Sequence, residues 1–142
     1  MRPVAPRSPR SFLISALSAV LLSACAAGGN DGFVSLSEFE QLRGEDGAEL
    51  VMVGYNTPVH YPPVPEHDHL QDFHNHLCLQ AAAYQNGIWV VGVAKAGNEE
   101  GCDLIGGSCI VAPAGEIVAV AETLGDELVI AECDLDRCKE IH

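Results

Sequence analysis

Basic residues are scarce in this sequence: seven lysines and arginines stand against twenty aspartates and glutamates, which gives a net charge of −13. Such a balance repels a phosphate backbone, so we expect no nucleic acid as a partner. Long apolar runs are lacking too, because FLISALSAVLL at 12–22 is too short to span a bilayer as a mature helix. With 48% hydrophobic and 19% charged residues, the 142-residue chain is predicted to form one globular domain rather than to be disordered.

The cysteines also lack the spacing of a zinc site. Six cysteines are present, at positions 25, 78, 102, 109, 133 and 138. Cys102 and Cys109 are too far apart for a tight C-x₂₋₄-C pair. Most of the cysteines are therefore expected to be buried free thiols, although an oxidising compartment would permit disulfides.

Four of the six histidines form two H-x-H pairs within EHDHLQDFHNHL, residues 66–77. Residues two apart do not share a helix face, so His74 and His76 should diverge. Only an i, i+7 combination such as His67 with His74 could converge. We therefore expect no metal site here, and no cofactor.

The first 25 residues have the pattern of an export signal. Arg2, Arg7 and Arg10 precede the apolar run, and no acidic residue occurs before Asp31. LSAC at 22–25 resembles a bacterial lipoprotein box, in which Cys25 would be lipidated and become the new N-terminus. We then expect a bacterial cell-envelope protein with a lipid anchor in the membrane. An ordinary cleaved signal or an out-of-frame start are the alternatives, and the last of these would leave the protein cytoplasmic.

Residues 26–43 read as a linker. Within it, DGFVSLSEFEQL resembles the second half of an EF-hand loop, with Asp31, Gly32 and Glu38 at the fifth, sixth and twelfth positions. The first and third positions would be Ala27 and Gly29, which have no carboxylate. Because two acidic ligands are missing, we expect no working calcium site.

From residue 44 to 142, short apolar runs alternate with turn residues. The predicted elements are a strand at 48–54, a proline-rich loop at 55–68, a helix at 69–85, a strand at 88–95, a turn-rich loop at 96–101, a hairpin of GSCIVAP and EIVAVAE, a strand at 127–135 and the start of a helix at 136–142. This order predicts an α+β (α/β-like) class with one long helix on a largely antiparallel sheet.

The predicted helix has three signals of its own. Asp68 is placed to cap its start, and Asn86-Gly87 to end it. Its core-facing stripe is predicted to be Leu70, Phe73, Leu77 and Ala81.

Residues 44–142 resemble part of a carbon–nitrogen hydrolase domain of the nitrilase superfamily, closest to the N-carbamoyl-D-amino acid hydrolases. The segments that carry the resemblance are GAEL…GYNTPVHYPPVPEHDHL (47–70), AAAYQNGIWVVGVAKAG (81–97), EEGCDLIGGSCIVAPAGEIVA (99–119) and DLDRC (134–138). The resemblance implies part of an α-β-β-α sandwich with two sheets face to face. A part of such a sandwich leaves a strand edge and an inner face uncovered, which favours association, and family members are oligomeric.

Family chemistry uses a glutamate base, a lysine that stabilises the oxyanion and a cysteine nucleophile. The resemblance places all three upstream of the GAEL strand, the cysteine in a C-N-D-x-R-W-P-E-like segment. Here that region holds GGNDGFVSLSEF, without a cysteine. Lys95 and Glu99 match later family positions and should not be given the missing roles. We therefore assign no catalytic residue and expect the chain to be inactive alone.

Some pocket residues carry over from the resemblance. Asn56 and Thr57 match the loop that helps to hold the substrate carboxylate, and His74 matches a histidine that keeps the site ordered. The implied ligand is an N-carbamoyl amino acid, if the pocket is completed. The loop could equally be a plain turn and His74 a plain helix residue. The alternatives to a hydrolase are an envelope lipoprotein that binds a small carboxylate or a partner subunit, and the product of a rearranged gene.

Overall fold

The computed structural model describes residues 11–17 and 47–139. The strands are β1 (Ser11–Leu17), β2 (Leu50–Tyr55), β3 (Trp89–Ala94), β4 (Ala96–Glu99), β5 (Cys102–Ile105), β6 (Cys109–Val111), β7 (Ile117–Val120) and β8 (Leu128–Asp134). A 3-10 helix, Pro65–Leu70, leads into the α-helix α1, Gln71–Asn86, and a second 3-10 helix, Leu135–Lys139, follows β8. Cys25 and the predicted linker at 26–43, with its EF-hand-like stretch, lie outside the described residues.

A four-stranded sheet in the order β2-β3-β6-β7 forms the centre. β2 and β3 are parallel, with Val51 opposite Val90, whereas the β3–β6 and β6–β7 pairs are antiparallel. Parallel neighbours need a crossover connection, and α1 supplies it. The predicted β6–β7 hairpin and the α+β class with one long helix are confirmed.

One face of α1 packs on the sheet through Leu79, Ala82 and Ala83, which meet Val53 and Val90 in a buried cluster. The two alanines let the helix backbone come close to the strands, as a tightly packed interior requires. Gly87, with a left-handed φ of 56°, ends the helix as predicted, and its N–H donates to the carbonyls of Ala83 and Tyr84 in the last turn.

The predicted apolar stripe of this helix is wrong. Phe73 is 58% and Leu77 49% exposed, whereas Asn75 and Leu79 are buried. The helix is rotated relative to the prediction: Leu79 packs over Gly92, where the strand has no side chain, and Ala82 and Ala83 allow the following turn to approach the sheet.

The predicted Asp68 cap is also wrong, because the residue before α1 makes no side-chain capping bond. Asp68 instead lies in the preceding 3-10 helix and accepts hydrogen bonds from the Tyr61 N–H at 2.9 Å and from His60 Nδ1 at 2.6 Å. These bonds lower the pKa of Asp68 and fold the proline-rich loop back on itself.

The opposite face of the sheet is built around Trp89, which is buried. Its indole N–H donates to the Asp134 carbonyl at 3.0 Å. The Arg137 guanidinium lies 5.5 Å from the indole ring and donates to Glu116 at 2.6 Å, which lowers the pKa of that carboxyl. β8 and the second 3-10 helix are thereby tied to the β6–β7 hairpin.

Residues 96–105 form a hairpin of β4 and β5 where the sequence predicts a turn-rich loop. Glu100 and Gly101 have φ of 52° and 85°, the backbone of a tight two-residue hairpin turn. The Asn98 side chain accepts from the Gly101 N–H at 3.2 Å and donates to Asp103 at 2.8 Å. These polar contacts fix a hairpin that lacks the apolar alternation of a typical strand pair.

Within the described ranges, no helix has the length and apolarity needed to cross a membrane. The face of β2 turned away from α1 is open, since Met52 is 59% exposed there.

Gly92 sets the distance between α1 and β3. A Cβ on Gly92 would lie 2.7 Å from Leu79 Cδ1 and 3.2 Å from Tyr55 Cε1. We expect Gly92→Ala to lower the free energy of unfolding by about 1–3 kcal/mol, measured by denaturant titration, because the buried Leu79 has little room to yield. Gly54→Ala is the matched control: it lies in β2 with no atom within 4 Å of its Cβ, and should have little effect. Equal losses at both positions would contradict this account.

Candidate functional site

The YNTP loop begins where β2 ends and is held by the neighbouring strands. The Lys95 N–H donates to the Tyr55 carbonyl at 2.9 Å, and the Ile105 N–H donates to the Thr57 carbonyl at 3.1 Å. The loop backbone therefore continues the strand network at the carboxyl end of β2. This anchoring gives Thr57 a fixed position over the first turns of α1.

Five residues meet at this end of the sheet and form what we call the Thr57 cluster: Tyr55, Thr57, Asn75, His76 and Gly107. The Thr57 hydroxyl donates to Asn75 Oδ1 at 3.3 Å. The Gly107 carbonyl accepts from the Tyr55 hydroxyl at 3.2 Å and from His76 Nε2 at 2.8 Å. The cluster thus joins β2, α1 and the loop between β5 and β6.

Asn75 is the most deeply buried member of the cluster, at 2% exposure. Its Nδ2 is buried and makes no hydrogen bond of good geometry, although the amide lies close enough to the Tyr55 hydroxyl to act on its pKa in the lowering direction. A buried donor that is poorly satisfied costs up to about 1–3 kcal/mol.

His76 joins the Gly107 loop to the first turn of α1. Because the Gly107 carbonyl can only accept, His76 Nε2 carries a hydrogen in this contact, and Nδ1 lies 3.5 Å from Asp72 Oδ1. Gly107 has a φ of 71°, and a Cβ there would lie 3.0 Å from Asp72 Oδ1. Only glycine allows the loop to approach the helix this closely.

The cluster is suited to hydrogen bonding rather than to proton transfer or nucleophilic attack. Burial raises the pKa of Tyr55, and the nearby Cys109 raises it further, so the phenol stays neutral at physiological pH. Burial also raises the pKa of the Cys109 thiol, to about 11. A thiol with so high a pKa is a poor nucleophile, so Cys109 does not replace the missing family cysteine.

The structure places the three predicted pocket residues differently. Thr57 is half-buried and bonded to Asn75, whereas Asn56 is exposed beside it. His74 is half-buried and its ring packs on Phe73 at 5.7 Å between centroids. The roles of Asn56, Thr57 and His74 remain predictions, and the geometry joins only Thr57 to the cluster.

The two H-x-H pairs are in contact through one histidine of each pair. The rings of His67 and His74 meet edge to face with centroids 6.1 Å apart, as their i, i+7 spacing allows. In the ranges 47–139 and 11–17, no group of three or more histidine, cysteine, aspartate or glutamate side chains is arranged to hold a metal ion.

Lys95 and Glu99, which match later family positions, form an ion pair with each other on a half-exposed surface. Of the cysteines in the described part of the chain, Cys109, Cys133 and Cys138 are buried, and Cys78 and Cys102 are exposed. Cys78, Cys102, Cys109 and Cys133 are free thiols, and the Cys138 thiol donates to the Glu49 carbonyl. This agrees with the expectation of mostly buried free thiols.

Asn75 and His76 were not among the predicted site residues, because the face of α1 predicted to meet the core is not the face that is buried. The available signal was the run of alanines at 81–83 together with Asn86, whose amide donates to the Ala82 carbonyl at 3.0 Å. A stripe drawn through these small residues passes through Leu79 and Asn75.

The central mixed sheet has the long helix α1 on one face and strand β8 on the other, which is the arrangement of an α+β domain. A family model for carbon-nitrogen hydrolases matches residues 40–142. The chain therefore belongs to the carbon-nitrogen hydrolase family.

Solved structures share this fold. A carbon-nitrogen hydrolase from Helicobacter pylori is 20% identical with a TM-score of 0.63, covering 75% of this chain and 39% of that one. Nit3 of Saccharomyces cerevisiae, a nitrilase superfamily member, is 25% identical with a TM-score of 0.56, covering 75% and 35%. An amidase from Nesterenkonia sp. is 22% identical with a TM-score of 0.53, covering 75% and 36%. The chain thus spans well under half the length of each of these proteins.

Replacing the Thr57–Asn75 pair by apolar residues should stabilise the domain. We expect Thr57→Val combined with Asn75→Leu to raise the free energy of unfolding by about 1–2 kcal/mol, because the poorly satisfied Asn75 Nδ2 is removed together with the Thr57 hydroxyl, while the Tyr55 hydroxyl keeps its bond to the Gly107 carbonyl. Asn86→Leu is the control on the same helix, since its amide is paired and its loss should destabilise. Denaturant titration measures all three proteins, and destabilisation by the double substitution would show that the Asn75 amide is satisfied.

Stability should fall between pH 9 and 11. Burial raises the pKa of Cys109 and Cys133 from 9.0 to about 11. In the unfolded chain these thiols ionise at a lower pH than in the folded protein. The stability that each buried neutral thiol contributes is therefore fully present below pH 9, and it falls by roughly 2–3 kcal/mol per thiol as the pH rises through the folded-state pKa. The difference between the unfolding free energies at pH 8 and pH 10 should be smaller in Cys109→Ala than in the parent. In the exposed-site control Cys102→Ala, this difference should equal that of the parent. Identical pH slopes in all three would contradict the assignment.

Proposed function

We propose that this chain supplies the carboxyl-terminal wall of a carbon-nitrogen hydrolase pocket whose substrate is an N-carbamoyl amino acid. The observation that carries the proposal is the Thr57 cluster: the YNTP loop is bonded to both the β5 strand and α1. A binding loop on a rigid support holds its polar groups in place for a ligand.

The chemistry of the loop fits the proposed substrate class. Asn56 offers an exposed amide, which is suited to a carboxylate or a ureido group. Thr57 donates its hydroxyl hydrogen to Asn75 and would hold the loop in position beside the ligand. The closest motif resemblance, GYNTP with a proline-rich continuation and EEGC, is to N-carbamoyl-D-amino acid hydrolases. Hydrolysis of such a substrate would give the amino acid, carbon dioxide and ammonia.

The reactive groups would have to come from another segment. In the family resemblance these are a glutamate, a lysine and a cysteine that precede the GAEL strand. The open face of β2, marked by the exposed Met52, is where further protein could pack. We therefore expect the chain to be inactive unless an upstream half of a hydrolase domain joins it.

The test is reconstitution. The full chain is assayed for ammonia release from an N-carbamoyl-D-amino acid, alone and mixed with the amino-terminal half of a related enzyme that carries the three catalytic groups. We expect no turnover from the chain alone, and turnover in the mixture that iodoacetamide abolishes. Asn56→Leu in this chain should raise KM in the mixture, because the contact of the exposed amide with the substrate is lost.

Glu122→Gln, in the exposed segment after β7, is the control variant and should leave the mixture unchanged. Thiol-sensitive turnover by the chain alone would refute its inactivity. Hydrolysis of simple amides but not of N-carbamoyl substrates in the mixture would refute the substrate class while preserving the hydrolase pocket.

A further inference from the structure

One edge of β8 is covered by the apolar segment Ser11–Leu17. The two strands pair antiparallel over seven residues without a bulge, from Ser11 opposite Asp134 to Leu17 opposite Leu128. In the described part of the chain, β1 is the partner of β8 in its two-stranded sheet. The cover therefore extends along the whole of β8.

An uncovered β8 would be a poor edge strand. Val129 and Cys133 point into the core, while Leu128 and Ile130 on the outer face are 51% and 48% exposed. Its sequence, LVIAECD, contains no lysine and no proline, and its charged residues, Glu132 and Asp134, lie in its last three positions and leave the first half of the edge unprotected. Such a strand invites pairing with another chain.

The covering segment is suited to a strand by composition. SFLISAL is uncharged and contains the strand formers Phe12 and Ile14. The same residues form most of the apolar run of the predicted export signal. A segment inserted in a membrane or removed with a signal cannot at the same time be hydrogen-bonded to β8.

We propose that Ser11–Leu17 is the strand that closes the β8 edge in the unprocessed chain. Its removal by processing at Cys25 would open this edge to β8 of a second copy of this chain. The proposal concerns the edge of the fold and is independent of the hydrolase pocket.

Register-specific cross-linking tests the pairing in the full chain. Ile14→Cys is combined with Ala131→Cys, its Cα partner, and the protein is oxidised mildly. Directly opposite residues of an antiparallel pair lie at a Cα separation that a disulfide can span. We expect the 14–131 disulfide, identified by mass spectrometry of proteolytic peptides, to predominate over links to the native cysteines.

Ile14→Cys with Glu132→Cys is the shifted control, in which the side chains lie on opposite faces. Its disulfide should form at background yield. Equal yields from the two pairs, or no 14–131 disulfide in a folded protein, would overturn the proposal.

Hydrogen exchange gives a second measurement. In the full chain, peptides that cover 128–134 should exchange at least about tenfold more slowly than in Ile14→Pro, while Ile14→Val behaves as the parent. Peptides from β3 report whether each variant is folded. Unchanged protection of β8 in folded Ile14→Pro would overturn the proposal, and if that variant unfolds, the cross-linking result decides.

Discussion

The close contact between α1 and β3 over Gly92 is the constraint on which the rest of the structure depends. It allows Leu79, Ala82 and Ala83 to reach the sheet and lets α1 serve as the crossover between the parallel strands β2 and β3. That crossover brings the first turns of the helix to the carboxyl end of β2. The polar residues of the Thr57 cluster meet because the start of α1 lies beside the carboxyl end of β2. A site can form at this end of the sheet for that reason.

The cluster is a buried hydrogen-bond network that ties three elements together. Its tyrosine and its neighbouring thiol are held neutral by burial, and its histidine is hydrogen-bonded to the Gly107 carbonyl. The buried Asn75 Nδ2 makes no hydrogen bond of good geometry. The network therefore fixes the YNTP loop at some cost in local stability.

The two faces of the central sheet are closed to different extents. The α1 face is sealed by the helix, and much of the other face is sealed by Trp89, Arg137 and β8. The outer part of β2 remains open. This asymmetry fits a family member that covers well under half the length of the solved relatives, in which further layers would complete the sandwich.

The sequence by itself determined the class of the domain, most of its strands, the end of the helix at Gly87 and the family, because these depend on local periodicity, turn residues and contiguous motifs. It did not determine the rotation of α1, the β4–β5 hairpin or the partners of Asp68. Phe73 and Leu77 have the bulk and spacing of a core stripe, yet the sheet accepts Leu79 over Gly92 and the alanines that follow. Which face of a helix is buried, and hence that Asn75 rather than its neighbour meets Thr57, is decided by the space between elements, and that space exists only in the tertiary structure.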